Sequence, residues 1–166
     1  MAEKKILMDQ EAVSYQGLFN LTELYRLIDK FIAERGFDKY ERFNEEKVTP
    51  QGKDIDLLLE PSRQVSDYAK HKMKIRIFVK GLKEVEVEKD GIKVKLHQGK
   101  IKIEFSAMLV TDIEGKWENS PPFIVFRTLV DKYIYKGQSR FMEADLLQQT
   151  KHLKTLVKSF LNLHRY

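Results

Sequence analysis

The chain has 166 residues, of which 42% are hydrophobic and 33% charged, which predicts a single folded domain over residues 1–166 and argues against disorder. It has no cysteine, which excludes disulfides and thiol chemistry, and we expect a reducing, cytoplasmic location. No stretch approaches the roughly 20 apolar residues that cross a bilayer, so we expect no transmembrane segment and no signal peptide.

The first half of the chain predicts one helix among short strands. The helix covers Leu21–Arg35, where Asn20 is a suitable N-cap and Gly36 a suitable residue after the end, and its apolar residues recur every three or four positions. Three strands are predicted around it: Ala12–Leu18, Lys39–Val48 and Asp54–Glu60.

The middle of the chain predicts an antiparallel meander. Residues 72–79 alternate between apolar and basic side chains, and Asp90-Gly91 is typical of a two-residue hairpin turn. Gln98-Gly99 suggests a second tight turn, and residues 81–83 a looser one. Together the turns predict one apolar sheet face shared by four residues: Ile75, Val87, Val94 and Ile103.

Two helices are predicted after the meander. Ser120 and Pro121 are typical of a helix start, and Gly137 of a helix end, so the first helix covers Pro121–Lys136. The second covers about Arg140–Leu163. The fold class is therefore α+β, with an antiparallel meander of about six to seven strands, an N-terminal helix and two C-terminal helices.

This order of elements resembles the helix-grip fold of the START and Bet v 1-like superfamily. The resemblance covers nearly the whole chain but rests on topology, because no sequence motif carries it. It implies a curved antiparallel sheet that grips a long C-terminal helix around an apolar cavity. The single helix after the first strand and the extra helix over residues 121–136 depart from the pattern of that superfamily.

The positive charge is concentrated in the C-terminal helices. The formal net charge is +5, and residues 120–166 hold eight basic against three acidic residues. On the last helix Lys151, Lys154, Lys158 and Arg165 fall within about 60° of one another. Such a stripe suits an acidic protein, nucleic acid or another anionic surface, although a solvated outer face has the same pattern.

Other chemistry has little support in the sequence. The four histidines lack metal-ligand spacing, and no phosphate-binding loop or nucleophile motif is present. Asp54 and Asp56 form a D-x-D on a strand, which can hold Mg²⁺ but is more often solvated. Trp117 is a candidate for the rim of a pocket or interface, or a plug at the end of the sheet. We expect no catalytic residue, no cofactor and no metal ligand.

Three functions follow from these observations. The first is a noncatalytic binding or assembly module that uses the basic C-terminal helix. The second is a carrier of an apolar small molecule in a helix-grip cavity. The third is an enzyme built on that cavity.

Overall fold

The computed structural model describes residues 3–111 and 135–163, and these form six strands and two helices. This confirms the α+β class and the antiparallel sheet. In chain order the elements are β1 (Glu3–Phe19), α1 (Leu21–Glu34), β2 (Glu41–Thr49), β3 (Gly52–Leu59), β4 (Ser62–Gln64), β5 (Ala69–Lys89), β6 (Ile92–Thr111) and α2 (Tyr135–Leu163).

Every strand pair of the sheet is antiparallel, and the strand order is β1-β6-β5-β3-β2. The short strand β4 also pairs with β5, at residues 70–72, just before the part of β5 that pairs with β3. Its centre is a long hairpin whose two strands pair from Ala69 opposite Thr111 to Lys89 opposite Ile92. A six-stranded antiparallel sheet with a helix after the first strand and a long C-terminal helix is compatible with the helix-grip order.

Helix α1 begins where its sequence predicts. The Asn20 side chain accepts a hydrogen bond from the backbone N–H of Glu23 at 3.1 Å, which satisfies one free donor of the first turn. Gly36 follows the helix with a φ of +70°, a conformation that glycine adopts without steric cost.

Helix α2 corrects one predicted boundary. It runs through Gly137, so the prediction that a helix ends there is wrong. A glycine inside a helix costs only about 1 kcal/mol, which a 29-residue helix packed on a sheet tolerates. The predicted helix Pro121–Lys136 lies outside the described residues, apart from its last two positions.

The core lies between one face of the sheet and the two helices. Side chains of α1, of the sheet and of α2 join in one buried cluster. Its fully buried members come from every layer, among them Leu24 and Ile28 of α1, Ile75, Ile77, Ile103 and Phe105 of the sheet, and Leu146 and Leu153 of α2. Because successive strand residues point to opposite faces, their neighbours in sequence lie on the other side of the sheet, which we call the outer face.

The hairpin at Asp90-Gly91 is confirmed. Both residues have positive φ, +53° and +77°, as a type I′ turn requires. The cross-strand pairs Glu88–Lys93, Val87–Val94 and Glu86–Lys95 are those that the turn predicts.

The second predicted turn, at Gln98-Gly99, is wrong, and so is the looser turn at residues 81–83. Strand β6 runs without interruption through Gly99, and β5 runs through Gly81. Between the pairs Lys80–Lys100 and Lys83–Gln98, β5 carries one more residue than β6, which makes a β-bulge with Gly81 at a φ of +63°. A glycine can mark such a bulge in a strand as well as a turn.

The corrected register also overturns the single apolar face. Ile101 and Ile103 are buried against the helices, and strict alternation along β6 therefore puts Val94 and Leu96 on the outer face. Their partners Val87 and Val85 lie there with them. Leu96 is only 3% exposed yet lies outside the main core cluster. The prediction that Val87 and Val94 share a face with Ile75 and Ile103 is therefore wrong.

Two glycines allow a test of how closely β3 approaches the bulge. A Cβ at Gly52 would lie 2.7 Å from the carbonyl carbon of Gly81 and from the carbonyl oxygen of Leu82, whereas a Cβ at Gly91 would meet nothing within 4 Å. Both residues have positive φ. We expect Gly91→Ala to lower the free energy of unfolding by about 1–2 kcal/mol through strain alone, and Gly52→Ala by more than about 3 kcal/mol. Urea unfolding measures both, and equal losses would contradict the close approach.

Candidate anion-binding pocket on the outer face of the sheet

The three described lysines of the predicted basic stripe differ in their surroundings. Lys151 and Lys158 are exposed on α2. Lys154 forms an ion pair with Glu11 of β1, at 2.8 Å between Nζ and Oε2. The hydrogen bond and charge of Lys154 hold the pKa of the Glu11 carboxyl below its usual value, with a smaller contribution from Lys151.

The stripe is therefore partly neutralised by the sheet that it borders. Lys154 ties α2 to the edge strand β1 and is not a free cation. Arg165 and Trp117, the other two predicted site residues, lie outside the described residues.

A second set of cations lies on the outer face of β5. The outward positions of this strand from residue 70 to residue 80 carry five basic side chains and one aromatic ring: Lys70, Lys72, Lys74, Arg76, Phe78 and Lys80. The inward positions between them, such as Met73, Ile75 and Ile77, are fully buried. Alternation along one strand thus separates the apolar core from a row of positive charge.

Two members of this row are held by carboxylates of β3 and of the residue that follows it. Arg76 Nε and Nη2 donate to the two carboxylate oxygens of Asp56 at 3.1 and 2.9 Å, and this pairing raises the pKa of Arg76. Lys72 pairs with Glu60 at 2.9 Å. Burial alone would raise the pKa of Glu60, but the hydrogen bonds and charges of Lys72 and Arg42 outweigh it and lower the pKa.

The two aspartates of the D-x-D motif have structural partners. Asp56 binds Arg76, and Asp54 accepts a hydrogen bond from the backbone N–H of Gly81 at 2.9 Å, at the bulge of β5. Within residues 3–111 and 135–163 no three histidine or carboxylate side chains lie together as metal ligands would.

A pocket of about 600 Å³ opens on the outer face, over strands β1, β6 and β5. This volume is within the range of small-molecule sites. Its polar and aromatic lining comes from the three strands: Ser14, Tyr15 and Gln16 of β1, Phe78 and Lys80 of β5, and Lys100 and Lys102 of β6. Glu104 also lines it and pairs with Lys102 at 2.7 Å.

Lys80 and Lys100 are directly opposite each other in this pocket. Both are exposed, and the described part of the chain places no carboxylate within ion-pairing distance of either. Like charges directly opposite each other on neighbouring strands destabilise a sheet. The pocket is therefore lined by two lysines on directly opposed strand positions, and no carboxylate of the described residues pairs with either.

The Phe78 ring has a fixed position beside these lysines. The Arg76 guanidinium carbon lies 4.5 Å from the centre of the Phe78 ring and 5.4 Å from that of Phe43. Because Asp56 holds the guanidinium from β3, Arg76 and the two rings form a stack across the outer face. Of these three side chains only Phe78 lines the pocket, where its ring lies beside Lys80 and Lys100.

A partly buried polar cluster links α2 to the sheet away from this pocket. Arg63 of β4 donates to Asp145 of α2 at 3.0 Å and lies 3.3 Å from the Nδ1 atom of His71. Gln149 donates to the same carboxylate at 2.8 Å. Burial and the nearby charge of Arg63 lower the pKa of His71, and Asp145 and the backbone of Met142 oppose them. The cluster fixes α2 against β4 and β5.

Comparisons with known proteins do not identify a family for this chain. No protein-family model matches the chain, and no curated protein is significantly similar to it. In the part of the chain that the structure describes, no helix is long and apolar enough to cross a membrane.

From the alternation over residues 72–79, the sequence predicts the common outward face of Lys72, Lys74 and Arg76, but it does not predict Lys70 or Lys80 on that face, nor the pocket. The false turn at Gly99, however, paired residues of β6 with each other, so Lys100 was not expected opposite Lys80. Lys80 and Lys100 are predicted to be opposite each other only if β6 is read as one strand that continues through Gly99.

The His71 cluster predicts a pH dependence of stability. His71 binds a proton less readily in the folded chain than at its ordinary pKa of 6.5, so the unfolded chain takes up more protons as the pH falls through this value. The free energy of unfolding should therefore fall between pH 7 and pH 5, by at most about 1.4 kcal/mol per pH unit from this group. Urea unfolding should show a shallower fall in His71→Gln.

His152→Gln is the matched control, because His152 is exposed on α2. Its pH dependence should follow that of the unchanged protein. An equal slope in His71→Gln and the unchanged protein would contradict a role for His71.

Proposed function

We propose that this protein is a noncatalytic binding module whose outer-face pocket accepts a phosphate-bearing ligand. The opposed Lys80 and Lys100 are the observation that carries the proposal. Elsewhere on the same hairpin the charged cross-strand pairs are complementary, as with Arg76 and Glu104 or Glu86 and Lys95. The one like-charged pair therefore stands where the pocket is, and a dianion placed between its ammonium groups would relieve the repulsion.

The rest of the lining indicates what else the ligand carries. Phe78 offers an apolar ring surface, which suits a planar group. Ser14 and Gln16 offer hydroxyl and amide groups on the β1 side, and Glu104 offers a hydrogen-bond acceptor. A phosphate joined to a ring with hydroxyl or amino groups, as in a nucleotide, matches all of these groups.

The exposed lysines of α2 support a second candidate surface. Lys151 and Lys158 remain available for an acidic protein, nucleic acid or an anionic membrane surface, although Lys154 is occupied by Glu11. We also retain a helix-grip assignment as a proposal, supported by the order of the elements and by the packing of α2 on the sheet. A carrier of an apolar molecule, or an enzyme, would use the inner side of that sheet.

Charge reversal on each surface separates these candidates. Lys80→Glu/Lys100→Glu and Lys151→Glu/Lys158→Glu change the net charge equally but on different faces. Titration calorimetry with a nucleoside monophosphate should detect binding to the unchanged protein. We expect the outer-face variant to lose at least about 100-fold in affinity, since two charge-assisted contacts of about 1.5–3 kcal/mol each are removed, and the helix variant to bind normally.

Two outcomes would contradict the proposal. Loss of binding in the helix variant alone would assign the ligand to α2, and unchanged binding in both would remove the pocket proposal. Lys100→Glu by itself gives a folding control, because it replaces the like-charged pair by a complementary one. It should raise the free energy of unfolding by about 0.2–1 kcal/mol while it weakens binding.

A further inference from the structure

We infer that the ligand of the outer-face pocket is single-stranded nucleic acid, an inference that rests on the proposed function and names its partner. The pocket is one part of a longer positive surface. The row of outward cations on β5 continues from Lys80 past Arg76 to Lys74 and Lys70. Lys72 and Arg76 have carboxylate partners, but a ligand confined to the pocket would leave Lys70 and Lys74 of this row without one.

The dimensions of the row suit a polymer of phosphates. Its ends, Lys70 and Lys80, are ten strand residues apart, which is about 34 Å. Outward positions recur at every second residue, about 7 Å apart along the strand, and each of them from residue 70 to residue 80 carries a cation except Phe78. In the described part of the chain, Lys70, Lys74, Lys80 and Lys100 have no carboxylate within ion-pairing distance. Four free cations on one face therefore remain for the backbone of a bound strand.

The Phe78 ring is the reason to infer single-stranded rather than double-stranded nucleic acid. Phe78 lies between Arg76 and Lys80 in the row and lines the pocket. A base can stack on such a ring only when its face is free, as in unpaired nucleic acid. A positive track with an aromatic platform on a sheet is the combination by which proteins bind single strands without reading their sequence. A nucleic-acid duplex and a lipid surface both carry negative charge, but neither exposes the face of a base on which Phe78 could stack.

Fluorescence anisotropy with labelled oligonucleotides of mixed sequence tests the inference. We expect affinity to rise with oligonucleotide length up to roughly 4–16 nucleotides and to exceed that for a nucleoside monophosphate at least about tenfold. Binding should weaken with salt, with a log–log slope of up to about −3 for four neutralised phosphates. A duplex of the same length should bind more weakly than the single strand.

Three variants separate charge from stacking. Lys80→Gln/Lys100→Gln should reduce the salt slope by about 1.4, and the matched Lys151→Gln/Lys158→Gln should leave it unchanged. Phe78→Leu keeps an apolar side chain beside Arg76 but removes the ring. It should weaken binding roughly 5- to 100-fold with the salt slope unchanged.

The outcomes distinguish this inference from the proposed function. If a nucleoside monophosphate binds through Lys80 and Lys100 but an oligonucleotide binds no tighter, the pocket stands and the nucleic-acid partner is wrong. Absence of both interactions overturns both proposals. Binding to vesicles that contain phosphatidylserine, with the same dependence on Lys80 and Lys100 and none of oligonucleotides, would replace nucleic acid by a membrane surface.

Discussion

The pairing of β5 with β6 is the constraint on which the rest of the structure depends. These two strands pair from Ala69 opposite Thr111 to Lys89 opposite Ile92, and they form the middle of the sheet. Once this register is set, alternation decides the face of every side chain on both strands. A shift by one residue would turn Ile75 and Ile77 to the solvent and the lysines into the core.

The same register gives the two faces their different chemistry. The inward face meets α1 and α2 in one apolar cluster, which stabilises the fold through burial. The outward face carries cations that three carboxylates only partly neutralise: Asp56 binds Arg76, Glu60 binds Lys72, and Glu104 binds Lys102. The apolar core and the proposed binding surface therefore use alternate residues of the same strands, so that substitutions at Lys80 or Lys100 need not disturb the core.

The accuracy of the sequence predictions followed the range of the interactions behind them. The cap at Asn20 and the turn at Asp90-Gly91 depend on neighbouring residues, and both were predicted. The local sequence predicts a turn at Gly99 and a helix end at Gly137, but the backbone at these residues continues a strand and a helix whose stability comes from tertiary packing. The α+β class survived these errors because it depends on the types of the elements and not on each boundary.

The candidate site depended on pairings that are distant in sequence. The position of Lys154 on the basic side of α2 was predictable from helical geometry, but its partner Glu11 lies 143 positions away, on a strand longer than the one predicted. The pair Lys80–Lys100 was hidden by the false turn. Local patterns thus identify the cations of α2, whereas only the sheet register shows that Lys80 and Lys100 are opposed and that Lys154 is paired.

Thiol reactivity would test the register most directly, because the chain has no cysteine of its own. Single cysteines can be placed along β5 at the outward positions Lys74, Phe78 and Lys80 and at the inward positions Met73, Ile77 and Val79. The account predicts fast labelling by a water-soluble reagent at the three outward positions and strong protection at the three inward ones, in variants whose circular dichroism is unchanged. Equal rates at both sets, or protection of the outward set, would contradict it.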